Sequence, residues 1–259
     1  MLILLPPSEG KATPTRGRPL DLDTLSLPEL TDARRKVLDA LVALCREAPE
    51  DARTVLGLSA GQVDLVVRNA DLPDAPTARA DRIYTGVLYD ALDVATLSAA
   101  AKRRATGRVA VASSLFGLVR LSDRIPSYRL SGDVTLPPVG PVAAVWREAL
   151  AEVGPAAVGN GLLVDLRSGM YANFWRPGPE LSGRVATVRV LHEHNGARKV
   201  VSHFNKATKG RIVRALLEDG ADPRTPAAFA ADLERLGWTV EIGPETKTGT
   251  QLDVVVTEV

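Results

Sequence analysis

Four apolar residues, Leu2-Ile3-Leu4-Leu5, run unbroken into Pro6-Pro7. An apolar run of that length fits a short strand buried inside a sheet. The two prolines end it, because proline has no N–H to give to a sheet ladder. Residues 6–30 are then rich in Pro, Ser and Thr. They read as a long ordered loop, and loops of that length within a compact domain are commonly functional.

Further strands are expected at Arg108–Ala112 and Leu162–Leu166. Val185–Leu191 and Arg198–Val201 read as a hairpin turning at Asn195-Gly196, a sequence suited to tight turns. Trp238–Ile242 and Leu252–Thr257 read as closing antiparallel strands. One helix is expected from Thr31 or Asp32 to about Glu47, and another after Ser59 with Val63, Val66 and Val67 on one face. Further helices are expected over Ser98–Arg104, Pro141–Val153, Phe204–Glu218 and Pro226–Leu236. Residues 113–140 look irregular. The order lacks the regular βαβα rhythm of a doubly wound sheet. The expected fold class is therefore α/β of the mixed α+β kind. It is one compact domain over residues 1–259, with a mixed or antiparallel sheet and helices around it.

The chain has 259 residues, 45% hydrophobic and 24% charged, enough to bury a core without covalent staples. Its 32 basic and 31 acidic residues leave a formal net charge of +1. That balance excludes a uniformly basic nucleic-acid coat protein and an acidic disordered tail, so any electrostatic partner must meet a local patch. The single cysteine, Cys45, excludes a disulfide framework and a cysteine-based metal site within one chain. It sits in an apolar helical stretch and reads as a small core residue. No apolar run approaches the ~18 residues of a membrane span, and the start lacks a basic leader. The expectation is a cytoplasmic protein with no membrane partner, favoured as a monomer.

The charge is unevenly spread. Lys102 to Arg129 holds seven basic residues opposed only by Asp123, and Arg198 to Arg214 holds six with no acid. In the helix after Ser202, Ile212, Val213, Leu216 and Leu217 define a buried face, with Arg211 and Arg214 opposite. Lys206 and Lys209 fall near the apolar face at the N-terminal end, where they must snorkel, pair or line a cleft. Free N–H groups there would favour an anion. The competing reading is that carboxylates elsewhere pair with both. Arg120, Tyr128 and Arg129 could contact phosphate or a planar group. Otherwise Arg120 and Asp123 form a structural ion pair and Tyr128 packs.

Other features carry less. His192 and His194 alternate on a strand, but no third ligand is apparent and no metal is expected. His203 could be an acid–base group or a helix-entry residue. The P-loop, Rossmann and G-x-S-x-G patterns are absent, and no cofactor is expected. Leu56-Gly57-Leu58-Ser59 before a helix faintly matches a helix-hairpin-helix turn, which binds DNA backbone through exposed N–H groups.

Together these pieces resemble the YaaA family of peroxide-stress proteins. The matching residues are Met1-Leu2-Ile3-Leu4 with Pro7 and Lys11, Tyr84-Thr85-Gly86, and Gly117-Leu118-Val119-Arg120 with Asp123. Pro126-Ser127-Tyr128-Arg129-Leu130, Leu166, Ser168–Tyr171, and Ser202 with Lys206, Lys209 and Gly210 complete the set. The resemblance implies a cytoplasmic protein that limits free iron and the DNA damage iron and peroxide cause. It also implies a positively charged cleft and DNA binding, in part through a helix-hairpin-helix-like element.

The leading expectation is DNA binding, with phosphates met by Lys206, Lys209, Arg120, Arg129 and Lys11, and exposed bases stacked on Tyr128 or Phe116. Such binding would be largely independent of sequence, with structured or damaged DNA preferred. The rival is an enzyme acting on a small anionic or nucleotide-like substrate. Lys206 would then be nucleophile or anion clamp, with Tyr84, Asp123 and Tyr128 as acid–base or orienting groups. A cleft lysine of depressed pKa would favour the enzyme, and one fully charged would favour phosphate binding.

Overall fold

The computed structural model describes residues 1–194 and 197–257. The turn at residues 195–196 and the side chains of residues 197, 202 and 203 lie outside that description, and with them the readings placed on that turn and on His203.

Strand β1 (Leu2–Leu5) leads through the long loop to helices α1 (Thr31–Glu47), α2 (Pro49–Val55) and α3 (Asp64–Ala70). A short strand β2 (Ala78–Arg79), then α4 (Ala80–Ile83), α5 (Val87–Leu92) and α6 (Ala99–Arg108), bring the chain to β3 (Val109–Ser113). Strands β4 (Gly117–Arg120), β5 (Arg124–Ile125), β6 (Thr135–Leu136) and β7 (Gly140–Pro141) precede α7 (Val142–Val158). Next come β8 (Leu163–Asp165), α8 (Gly169–Ala172), β9 (Val185–His194) and β10 (Ala197–Lys199). Helices α9 (Ser202–Asp219) and α10 (Pro226–Arg235) and the pair β11 (Thr239–Thr246) and β12 (Gly249–Val256) follow.

The main sheet runs β11-β12-β9-β8-β1-β3-β4, with β10 paired to β9. It is mixed, as expected, with a parallel centre. β1 pairs in parallel with β3 and β8, and β9 in parallel with β8 and β12. Only β4, β10 and β11 join it antiparallel. The rhythm of such a sheet is hidden in the sequence because the crossover from β1 to β3 passes through residues 6–108. Every residue of β1, β3 and β8 is buried. Parallel strands are covered by crossovers on both faces, so they read as unbroken apolar runs and do not alternate.

Two anchors hold helices to this sheet. Arg34 of α1 is fully buried, donating to the carbonyls of Phe116, Ser26 and Leu118 at 3.0, 2.7 and 2.8 Å. Burial pulls its pKa down to about 10, against the attraction of Asp123. Trp146 of α7 donates to Ser114 O at 2.7 Å and packs over Gly117. Gly117 has φ +73°, and a Cβ there would lie 2.6 Å from the indole.

Helix α9 buries Ile212, Val213, Leu216 and Leu217, the face expected of it. Arg211 is exposed as expected. Arg214 is not a solvated charge. Its guanidinium donates to Leu92 O and Asp93 O at 3.1 and 2.9 Å, capping the carboxyl end of α5. Of the three valines expected on one face of α3, only Val66 is buried. Val63 and Val67 are 47% and 59% exposed, and the other buried residue of the helix is Asn69, whose side-chain amide bonds the Arg129 backbone at 2.7 and 2.9 Å.

Helices α5 and α9 approach backbone to backbone at Gly210, where a Cβ would stand 2.2 Å from Leu88 O. Gly210→Ala is expected to push the two helices apart and lower stability by about 1–3 kcal/mol. Urea unfolding of the variant and the wild type measures it, and an unchanged midpoint would refute this close contact.

Candidate functional site

Because β1, β3 and β8 are parallel, their carboxyl ends reach the same edge of the sheet. Open parallel sheets place ligand sites in the crevice outside that edge. Here it gathers the segment Pro6–Lys11 after β1, Ser113 at the end of β3, and Asp165–Arg167 at the end of β8.

Pro6–Lys11 is tied to the junction 84–89. Lys11 forms an isolated antiparallel bridge with Tyr84, and Ala12 N donates to Ile83 O at 2.9 Å. Ser8 Oγ accepts from Thr85 N at 3.1 Å and donates to Gly10 O at 2.6 Å. Tyr89 donates to Pro6 O at 2.7 Å. Between the two segments lies a cleft of about 240 Å³, lined by Pro6–Gly10, Thr85–Tyr89 and Lys206.

Beside it is a buried hydroxyl chain. Tyr84 OH lies 3.1 Å from Tyr128 OH, which lies 2.8 Å from Ser113 Oγ. Either oxygen of each pair can donate, so a proton can be handed along the chain. Ser113 Oγ also accepts from Phe116 N at 3.0 Å. Burial raises the pKa of Tyr84, Tyr89, Tyr128 and Tyr171. These phenols therefore stay neutral, and Tyr89 donates its proton to a backbone carbonyl.

Lys11 lies against this chain. Its Nζ is 4.2 Å from the centre of the Tyr128 ring and 5.8 Å from that of Tyr84, and donates to Ser8 O at 2.8 Å. The residue as a whole is half-buried, yet desolvation of its amine brings the pKa to about 7. Glu9 opposes that shift and Arg129 adds to it. Arg129 and Glu9 are themselves ion-paired. Lys209 is a second amine of this kind. It is buried, donates to Leu166 O at 3.0 Å, and is lowered to about 8 by desolvation, with Asp165 partly offsetting it. Asp165 does not pair with Lys209. Its carboxylate receives a two-pronged bond from Arg167 at 2.9 and 2.7 Å.

The expected residues thus divide. Lys11, Tyr84, Tyr128, Arg129, Lys206 and Lys209 stand around one edge of the sheet, with only Lys206 exposed. Arg120 and Asp123 lie elsewhere. Arg120 pairs with Ala110 near the start of β3, and its guanidinium donates to Gly107 O at 3.1 Å. Asp123 accepts from the Arg120 and Ser26 amides at 2.8 and 3.2 Å, so it shapes a turn and makes no side-chain ion pair with Arg120. Stacking of bases on Tyr128 or Phe116 is also corrected. Tyr128 is 2% exposed and Phe116 fully buried, the two rings packing edge to face at 5.6 Å.

The turn at Leu56–Ser59 does not offer its amides to DNA either. The four N–H groups donate internally, to Ala52 O, Thr54 O, Arg53 O and Gln62 Oε1. His192 is buried and His194 exposed, and no metal-binding group of three side chains occurs among the described residues. Cys45 is buried, and burial pushes its thiol up to about 11. Sequence reasoning passed over Ser8, Ser113 and the Asp165–Arg167 pair. Charges placed directly after the apolar run Leu162–Val164 were the available signal for that pair.

Fold and site define an α/β protein with a lysine- and tyrosine-lined cleft at the carboxyl edge of a parallel-centred sheet. The chain belongs to the family described as peroxide stress protein YaaA, whose sequence profile matches residues 1–240. A UPF0246 protein of Streptomyces coelicolor is 56% identical over the whole of both chains. One from Corynebacterium efficiens is 43% identical over 95% of this chain and 97% of its own. One from Shewanella loihica is 29% identical over 85% and 86%. Among the described residues no helix is long and apolar enough to cross a membrane.

The electrostatics make a signed prediction. Arg129→Gln removes a repelling charge and leaves Glu9 attracting, so the pKa of Lys11 should rise above 7. Glu9→Gln does the reverse and should lower it. NMR titration of isotope-labelled lysine side chains reads both, and shifts of the same sign would refute this charge arrangement.

Proposed function

We propose that this peroxide-stress protein works on DNA, in the cytoplasm, and takes a phosphate or one unstacked nucleotide into the cleft between Pro6–Gly10 and Thr85–Tyr89. The observation that carries this reading is the convergence of basic groups from three distant segments, with Lys206 exposed in the cleft wall and Lys11 and Arg129 beside Glu9. A cleft of about 240 Å³ is too small for a duplex, so the duplex would stay outside and only an exposed unit would enter. That favours structured or damaged DNA over sequence reading. A cationic protein on DNA displaces condensed counterions from the phosphates it covers. Iron(II) held at those phosphates would be displaced with them, which links DNA binding to protection from iron and peroxide.

Binding of a fluorescent DNA containing a single-stranded gap, followed across a salt series, tests the reading. Lys206→Ala is expected to weaken it and to lower the log–log salt slope by about one. A slope and affinity indifferent to Lys206 would overturn it.

A second reading is favoured by Lys11 itself. An amine with a pKa of about 7, set beside a chain of neutral phenols, suits a nucleophile or base acting on a small anionic substrate. Lys11 takes the role that the sequence pattern gave to Lys206. Pyridoxal phosphate with borohydride, an anionic aldehyde that traps neutral amines, is expected at pH 7 to label Lys11 ahead of the exposed lysines. Prior addition of a nucleotide should protect it. Indiscriminate labelling would count against chemistry at this position.

A further inference from the structure

A basic hollow, of about 400 Å³, lies away from the cleft. Arg79, Arg82, Lys102 and Arg103 stand around it with Val94 and Ala95, over the buried Ala105 and Leu121. Arg82 comes from α4, Lys102 and Arg103 from α6, and Leu121 from just past β4. Arg120, next to Leu121, pairs with Ala110 near the beginning of β3. The hollow therefore neighbours the amino ends of the strands, and the cleft lies at their carboxyl ends.

Its charge is one-sided. Asp81 is the only carboxylate in the lining, and it is already held by Arg79, with Nη2 2.7 Å and Nε 3.2 and 3.1 Å from its oxygens. Arg82, Lys102 and Arg103 have no ion-pair partner among the described residues. A concave wall lined with one sign of charge focuses the field on whatever enters. The volume falls in the range of small-molecule sites, which combine apolar lining with a few convergent polar groups. An apolar wall of Val94 and Ala95 has nothing to offer a bare phosphate, but it suits a planar, poorly hydrated group.

We propose that this hollow binds a nucleoside phosphate, its phosphates against Arg82, Lys102 and Arg103 and its base on Val94 and Ala95 beside the planar Arg79 guanidinium. Arg79 is pinned by Asp81, so its flat face is ready for stacking without further ordering. Phosphate chemistry alone is shared by a free nucleotide and by the backbone of a nucleic acid. The apolar wall favours the free nucleotide, and the test separates the two.

Calorimetric titration of the full chain with ATP, ADP, AMP, inorganic triphosphate and a short DNA duplex reads the site. The expected order is ATP, then ADP, then AMP, with inorganic triphosphate weaker than ATP because it lacks a base. The double variant Arg82→Ala/Lys102→Ala should weaken ATP by about tenfold or more. The binding event that the double variant weakens should persist in Lys206→Ala, so that a nucleotide held in the first cleft, which Lys206→Ala would weaken, is told apart from one held in this hollow. Both altered positions in the double variant are exposed, and Arg103→Glu gives an independent variant with the same expected loss. The proposal is overturned if ATP fails to bind at about 1 mM, or if triphosphate binds as well as ATP. Loss of all ATP binding in Lys206→Ala, with the double variant unaffected, would overturn it too. So would a double variant that weakens the duplex while leaving ATP untouched, since the hollow would then hold backbone phosphate.

Discussion

Burial of both faces of β1 is the constraint from which the rest follows. Its four residues are at most 2% exposed and lie between β3 and β8. A strand with apolar side chains on both faces needs cover on both, and parallel neighbours reached by long crossovers supply it. Parallelism in turn fixes where function can sit, since β1, β3 and β8 all deliver their next residues to one edge. Pro6-Pro7 ends β1 just where the chain must leave the sheet, and the following segment forms the cleft wall. The sheet thus positions Lys11, Ser113 and Arg167 together although they are far apart in sequence.

Two kinds of cation divide the work. The side-chain ion pairs among the described residues are made by arginines, at the surface and inside alike, and no lysine takes part in one. Buried, Arg34 and Arg167 keep their planar forks on carbonyls and on Asp165. Arginine keeps its charge on burial far more readily than lysine does. Lys11 and Lys209 are desolvated without a carboxylate partner, and both give up basicity. Had Glu9 and Asp165 faced these amines directly, they would have been ordinary fixed charges. Because each acid is committed to an arginine, the amines remain chemically available near neutral pH.

Much of the fold was legible where one local rule governs. The apolar runs of β1, β3 and β8, the buried face of α9 and the antiparallel pairing of β11 with β12 follow from periodicity and turn chemistry. The parallel centre was not legible, since it depends on which distant strands meet across the crossover at residues 6–108. The cleft was half legible. Lys11, Tyr84, Tyr128 and Arg129 could be picked by residue type and family resemblance, but their burial could not. Tyr128 therefore looked like a stacking surface, when it is the floor under Lys11. Arg120 and Asp123 looked like site residues because they lie close to Tyr128 in sequence. The antiparallel run of β4 carries them to the other end of β3.

That reversal also bears on how a nearly neutral chain can present cations at two concavities. The cations between Lys102 and Arg129 form one sequence segment, and the fold splits it. Lys102 and Arg103 reach the hollow beside α4, Arg129 goes to the cleft edge, and Arg104, Arg108 and Arg120 are used on backbone carbonyls. A run of like charges in sequence therefore says little about where field accumulates. What decides it is which guanidinium groups find carbonyls or carboxylates inside the fold, and which are left facing a concave wall. Lys206 faces the first concavity, and Arg82, Lys102 and Arg103 face the second. Since the two lie toward opposite ends of the strands, one phosphate cannot occupy both. A ligand in either is held by its own set of cations.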